Sequence, residues 1–163
     1  LTLTQIDATY KGFPGHLSPV ELSCVGQQGW SLLEGHLSLP LAVLKQTALD
    51  HNLEWMQRFC KSKNLDIAPH GKTSMSPELF HMQLNAGAWG ISFANVFQAG
   101  LGIRHGVHRI IIANQVFQHA DVGTLAALLQ QHPAVTVYFL VDDMAQLDAL
   151  DAWRASLSHG QSV

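Results

Sequence analysis

Charge is scarce in this chain. Asp, Glu, Lys and Arg together supply 13% of its 163 residues against 47% apolar ones, and the net charge is −3 with histidine neutral. That balance excludes a disordered tail, which needs low hydrophobicity and many like charges. It also argues against nucleic acid as a partner. There is no basic stripe, and the stretch from Arg104 to Arg109 (RHGVHR) is too short to act as one. Long apolar runs are missing as well. None approaches the roughly 20 residues that cross a bilayer, so no membrane partner is expected. The opening LTLTQIDATYKG lacks the basic and apolar regions of a secretory signal. The two cysteines, Cys24 and Cys60, are far apart and form no metal-type or redox pair, which reads as reduced thiols in the cytoplasm. Ten histidines are scattered without paired spacing, so no metal site is assigned from them. Neither a GxSxG elbow nor a GxGxxG opening a helix is present.

What is there is an alternation. Residues 1–38 carry no sustained period and many glycines and prolines, and read as an irregular N-terminal arm whose apolar residues dock on something. From residue 39 onward the pattern is strand, helix, five times over. The strands are expected at 39–45, 65–69, 89–94, 107–113 and 134–141, and the helices at 46–64, 76–86, 96–105, 120–131 and 144–157. In the first helix Leu49, Leu53, Met56, Phe59 and Cys60 share a face, and in the last Met144, Leu147, Leu150, Trp153 and Leu157 do. Ser76-Pro77-Glu78 looks like a helix start, with a capping hydroxyl, a proline for the first position and an acid for the dipole. Gly87 and Gly106 look like stops. Ile110-Ile111-Ile112 suggests a strand buried on both faces.

Alternating apolar strands and helices mean a parallel sheet. Two α/β architectures fit. One is an open five-stranded doubly wound sheet. The other is a (β/α)8 TIM-type barrel, of which residues 39–163 would be the first five βα units, since such barrels run to roughly 250 residues. In both, functional groups gather at the carboxyl ends of the strands. That edge holds Lys45 and Gln46, then Pro69 to Thr73, then Ala94 and Asn95, Asn114 and Gln115, and Asp142 and Asp143. Asp142-Asp143 reads first as a helix cap and second as a metal ligand pair. Lys72 is the chemically distinctive member. In a low-dielectric pocket its ammonium would be destabilised and its amine made nucleophilic toward an aldehyde. His70 could donate or accept a proton, and Gly71 would let the backbone pass close to a flat ring. The plain alternative is a solvated loop lysine.

Residues 69–73, Pro-His-Gly-Lys-Thr, together with the helix that follows, AGAWGI and IIIANQ, resemble the alanine-racemase-like, fold-type-III pyridoxal-phosphate enzymes, in particular their D-threonine aldolase and D-serine dehydratase branch. The resemblance runs over roughly residues 30–145 and is carried by the PHGKT context. It implies a (β/α)8 barrel with a separate β-rich C-terminal domain, a pyridoxal 5'-phosphate cofactor and D-amino-acid substrates. It implies that Lys72 holds the cofactor as an internal aldimine, with His70 and Asn114 lining the pocket. A divalent metal, where one is used, would take its ligands from the C-terminal domain. The chain departs from the family by stopping before a sixth strand. It therefore reads as an N-terminal fragment, inactive or nearly so alone, with unpaired strand edges that favour a homodimer. Two other readings remain: a non-catalytic pyridoxal-phosphate carrier of the same fold, and a complete five-stranded α/β binding module.

Overall fold

The computed structural model describes residues 4–156. Contacts divide the chain into two compact units, with the boundary between Ala48 and Leu49. In the first unit, β1 (Gln5–Ile6) pairs antiparallel with β2 (Val20–Glu21), and a 3₁₀ helix follows over Leu22–Gln27. Phe13 is its buried centre and meets Trp30 edge to face, ring centroids 5.6 Å apart. Ser38 ties the end of this unit back, its amide to the Gly12 carbonyl and its hydroxyl to the Phe13 carbonyl, both at 3.2 Å.

The strand expected over residues 39–45 does not form. Leu39, Val43 and Leu44 are exposed, while the Leu41 side chain packs against Gly12 and fills the space a side chain there would take. A short apolar run is a strand only if a neighbouring edge accepts its backbone bonds, and none of the described residues does so.

The second unit is α/β. Its sheet is parallel, in the order β3 (Ile91–Phe93), β4 (Arg109–Gln115), β5 (Thr136–Leu140). Ile91 stands beside Ile110, and Ile110 beside Val137. Residues 67–71 run along the free edge of β3. Trp89 N–H donates to the Ile67 carbonyl (2.9 Å), Ser92 N–H to Pro69 (2.8 Å) and Gly71 N–H to Ser92 (2.8 Å), with a parallel bridge between His70 and Ser92. The expected second strand is thus present as a bridged segment.

The helices are α1 (Gln46–Lys63), α2 (Pro77–Asn85), α3 (Val96–Arg104), α4 (His119–Gln131) and α5 (Met144–Ser156). Their ends follow local chemistry. The α1 helix closes on Asn64 at φ 52°, a left-handed conformation that asparagine tolerates, with Leu65 N–H reaching the Cys60 carbonyl. Ser76 caps α2 by accepting from Leu79 N–H at 3.5 Å, and Gly87 follows that helix at φ +107°. Asn95 caps α3 by accepting from Gln98 N–H at 3.0 Å, and Gly106 follows it at φ +79°.

The core lies on one face of the sheet. Ile91, Phe93, Ile110 and Ile112 are fully buried there with Phe80 of α2, Val96, Ala99 and Ile103 of α3, and Val122 and Leu125 of α4. On the opposite face Ser92 of β3 is buried, while β4 and β5 are more open among the described residues. Ile111 is half-buried, and Tyr138 and Leu140 are exposed. Burial of the isoleucine run on both faces is therefore corrected to burial on one: alternate strand residues point opposite ways, and helices cover only one side here.

Two helix faces also differ from expectation. Phe59 is exposed and stacks on Trp55 one turn away, ring centroids 5.6 Å apart, while Leu49, Leu53 and Met56 are half-buried and Cys60 buried. In α5, Gln146 takes the buried place because its Nε2 donates to the Leu140 and Val116 carbonyls. That turns the stripe 146-150-153 inward and leaves Met144 and Leu147 exposed. Leu157 lies outside the described residues. No described helix is long and apolar enough to cross a membrane.

Phe93 touches both α2 and α3, so Phe93→Ala should cost about 3–5 kcal/mol, read as a lower denaturation midpoint.

Candidate functional site

Lys72 stands on a five-residue loop that is anchored at both ends. At its start Gly71 is buried, and its amide bonds β3. A side chain on Gly71 would lie 2.7 Å from Phe80, 2.8 Å from Ile91 and 2.8 Å from Phe93. All three are fully buried and cannot move aside. At the far end Met75 N–H donates back to the Gly71 carbonyl at 2.9 Å. Met75 holds φ 47°, a conformation that costs a non-glycine residue roughly 1–2 kcal/mol, and its side chain packs against the core, which offsets that cost. Ser76 then opens α2. The loop is short because its two ends are fixed by packing, and Lys72 is carried at the carboxyl edge of the parallel sheet.

The Lys72 side chain is exposed, so the low-dielectric pocket expected for it is not formed by the described residues. None of the described residues bonds or pairs with its ammonium. His70, two residues before it, is exposed beside a cavity of about 110 Å³ between α1 and α2, lined by Leu53, Leu79 and Met82 among others. Asn114 sits at the same edge but two strands over, where its Nδ2 donates to the Ala94 carbonyl at 2.8 Å and ties the ends of β3 and β4. His70 and Lys72 therefore share one strand end, and Asn114 belongs to another.

Other members of the edge have structural partners. Gln115 donates to Asp142 at 2.6 Å, joining the ends of β4 and β5. Asp143 accepts from Ala145 N–H at 3.0 Å at the start of α5, the capping role expected of this pair. Gln146 keeps a buried Oε1 without a partner among the described residues. Ser92 is the buried polar residue that sequence reasoning passed over. Its hydroxyl donates to the Ala68 carbonyl at 2.7 Å. The available signal was a lone serine between Ile91 and Phe93.

The start of α2 carries the site's clearest electrostatic effect. The Glu78 carboxyl is held below its ordinary value of 4.5, first by its own backbone N–H, then by the Ser76 hydroxyl at 2.8 Å, with smaller help from His105 and His81.

Comparison with known proteins finds similarity to proteins named as aldolases and a dehydratase. Two sequences named 3-hydroxy-D-aspartate aldolase, from Paracoccus denitrificans strain Pd 1222 and from Paracoccus denitrificans, are each 28% identical over 131 residues, 80% of this chain. The chain spans about a third (33%) of the length of these curated relatives. Among solved structures, D-threonine aldolase from Filomicrobium marinum superposes with a TM-score of 0.67 at 27% identity, over 74% of this chain and 32% of that one. D-threo-3-hydroxyaspartate dehydratase from Delftia sp. HT23 superposes with a TM-score of 0.66 at 24% identity, over 73% and 31%, and adds a likeness of fold. No protein-family model matches the chain. The resemblance read from the PHGKT stretch is borne out by these relatives.

Two outcomes test this geometry. Gly71→Ala should destabilise the chain by about 1–3 kcal/mol through overpacking, seen as a lower urea midpoint. The Glu78 contribution has the sign of a depressed carboxyl: it is present above pH 4.5 and is lost as pH falls through the folded-state value. Glu78→Gln should flatten the acid side of a plot of thermal midpoint against pH, with its neutral side less affected.

Proposed function

We propose that this chain carries the cofactor lysine of a pyridoxal-phosphate-dependent lyase acting on D-configured 3-hydroxy amino acids, and that residues 39–163 begin its (β/α)8 barrel. The observation that carries the reading is Lys72 itself, a primary amine without a partner among the described residues, on a loop anchored at both ends, at the carboxyl edge of a parallel sheet. The relatives' names support the substrate class.

The residues present fit the aldehyde end of pyridoxal phosphate. An exposed amine with no competing partner among the described residues can reach an aldehyde, and the anchored ends of its loop limit how far it can stray. The cofactor, when bound, supplies an electron sink for charge that develops at the substrate Cα. Lys72 would hold it, and the Nζ of a free Lys72 could accept or return a proton. In a retro-aldol cleavage that proton comes from the 3-hydroxyl as the Cα–Cβ bond breaks. In a dehydration the proton leaves Cα and the hydroxyl leaves Cβ as water. In this reading His70 would donate or accept a proton, and Asn114 would line the pocket with it. In the same reading the working protein is a homodimer, the substrate a small D-amino acid, and any divalent metal is held by residues other than those described.

Incubation with pyridoxal phosphate, reduction with borohydride and peptide mapping test the assignment. The label is expected on Lys72 and should vanish in Lys72→Ala. A label on other lysines with Lys72 untouched would overturn it. In the protein that contains this chain, Lys72→Ala should lower turnover of D-threonine or D-3-hydroxyaspartate by roughly 10²–10⁴-fold, the scale of a positioned proton-transfer group. Labelling of Lys72 with no turnover of any D-amino acid would favour a carrier instead.

A further inference from the structure

Ser92 is out of place by composition. It lies in β3 between Ile91 and Phe93, each fully buried, and is itself 5% exposed. A hydroxyl there is costly unless it is bonded, and this one is: Oγ donates to the Ala68 carbonyl at 2.7 Å. The same residue's N–H donates to the Pro69 carbonyl at 2.8 Å, and its carbonyl accepts from Gly71 N–H at 2.8 Å. One residue therefore grips positions 68, 69 and 71, the segment that delivers Lys72. The two backbone bonds are open to any residue. The hydroxyl bond is open only to a side chain with a donor.

From this we infer that Ser92 is a positioning residue for Lys72. The inference rests on the reading of Lys72 as the cofactor lysine. Segment 67–71 has a single bridge where the other strands have a ladder, so its register is thinly specified. A slip of one residue would turn Lys72 to the opposite face of the sheet. The hydroxyl adds a fourth bond to the three backbone bonds that oppose that slip, placed four residues before Lys72. Gly71 cannot supply this restraint alone. Its packing excludes a side chain at one point, whereas the Ser92 bond ties the stretch leading up to it.

A purely structural serine would lower stability when removed and leave the behaviour of Lys72 unchanged in the folded chain. The test therefore compares Ser92→Ala with Ser92→Thr, which keeps the hydroxyl, under conditions where each is folded. Two quantities are read: hydrogen exchange of the Gly71 amide, and borohydride-fixed labelling of Lys72 by pyridoxal phosphate relative to Lys61 and Lys63. The label is a secondary amine, formed with loss of water and gain of hydride from borohydride. In Ser92→Ala the Lys72 labelling rate should fall roughly 2–10-fold, the scale of one hydrogen bond. Gly71 exchange should quicken by a similar factor, Lys61 and Lys63 should be unchanged, and Ser92→Thr should restore both signals. Wild-type labelling ratios and Gly71 exchange in Ser92→Ala would overturn the proposal, whatever happens to its melting point. Should Ser92→Ala not fold, Ser92→Cys, with a weaker donor, carries the same comparison. Failure of the underlying reading looks different: Lys72 takes no label in the unsubstituted chain, and the positioning role falls with it.

Discussion

Three fully buried side chains, Phe80, Ile91 and Phe93, close over the spot where a side chain on residue 71 would stand. That close approach couples the hydrophobic core to the chemical edge of the molecule. Phe80 comes from α2 and the other two from β3, so the contact joins the helix after the Lys72 loop to the strand beside it. Phe80 and Phe93 meet edge to face, centroids 5.3 Å apart, a geometry aromatic rings favour. The loop between them has little freedom left. Its start is pressed into the core at Gly71, its end returns a bond to Gly71 from Met75, and a capped helix follows at once. Between these anchors Lys72, Thr73 and Ser74 are exposed at the carboxyl edge of the sheet.

The sheet divides its labour between faces. Its helix-covered face holds the apolar cluster. The other carries Arg109, Ile111, Tyr138 and Leu140, with the Arg109 guanidinium 5.7 Å above the Trp89 ring and Trp89 against Tyr138. The carboxyl edge is held together by side chains bridging between strands: Asn114 to Ala94, Gln115 to Asp142, Gln146 to Leu140 and Val116. These polar groups make the edge a stiff rim. Asn114 and Gln115 were both visible in the sequence as edge residues, and the structure gives each a bond that fixes a neighbouring strand end.

Much of the fold was legible because its signals are local. Ser76, Pro77 and Gly87 mark α2 through capping, a fixed φ and a positive φ, none of which depends on distant residues. The strands around Ile91, Ile110 and Val137 were legible from apolar runs between such marks. What escaped was set by tertiary context. Residues 39–45 have a strand's composition, but a strand exists only beside a partner, and Leu41 found Gly12 instead. The stripe of α5 was read from apolar spacing, yet Gln146 won the buried position because two strand-end carbonyls needed its donor. At the site, PHGKT pointed to Lys72, while the packing of Phe80, Ile91 and Phe93 around Gly71 was not visible in the sequence. Ser92 was invisible to a search for chemical groups, since its work is to hold another segment still.

Under the proposed reading of Lys72 as a cofactor lysine, the reaction is left open between retro-aldol cleavage and dehydration. Both reactions need an amine at the same place to hold an aldehyde, and both need that amine freed afterwards to move a proton. They differ in whether the 3-hydroxyl is deprotonated or expelled, which depends on what stands around Cβ of the substrate. The Lys72 loop faces the first requirement only. In that reading its anchors, Gly71, Met75 and Ser92, would set the position of the amine, which both reactions require alike. The apparatus for that distinction therefore belongs to whatever residues surround Cβ, so selectivity between the two reactions can change while the loop and its packing stay the same.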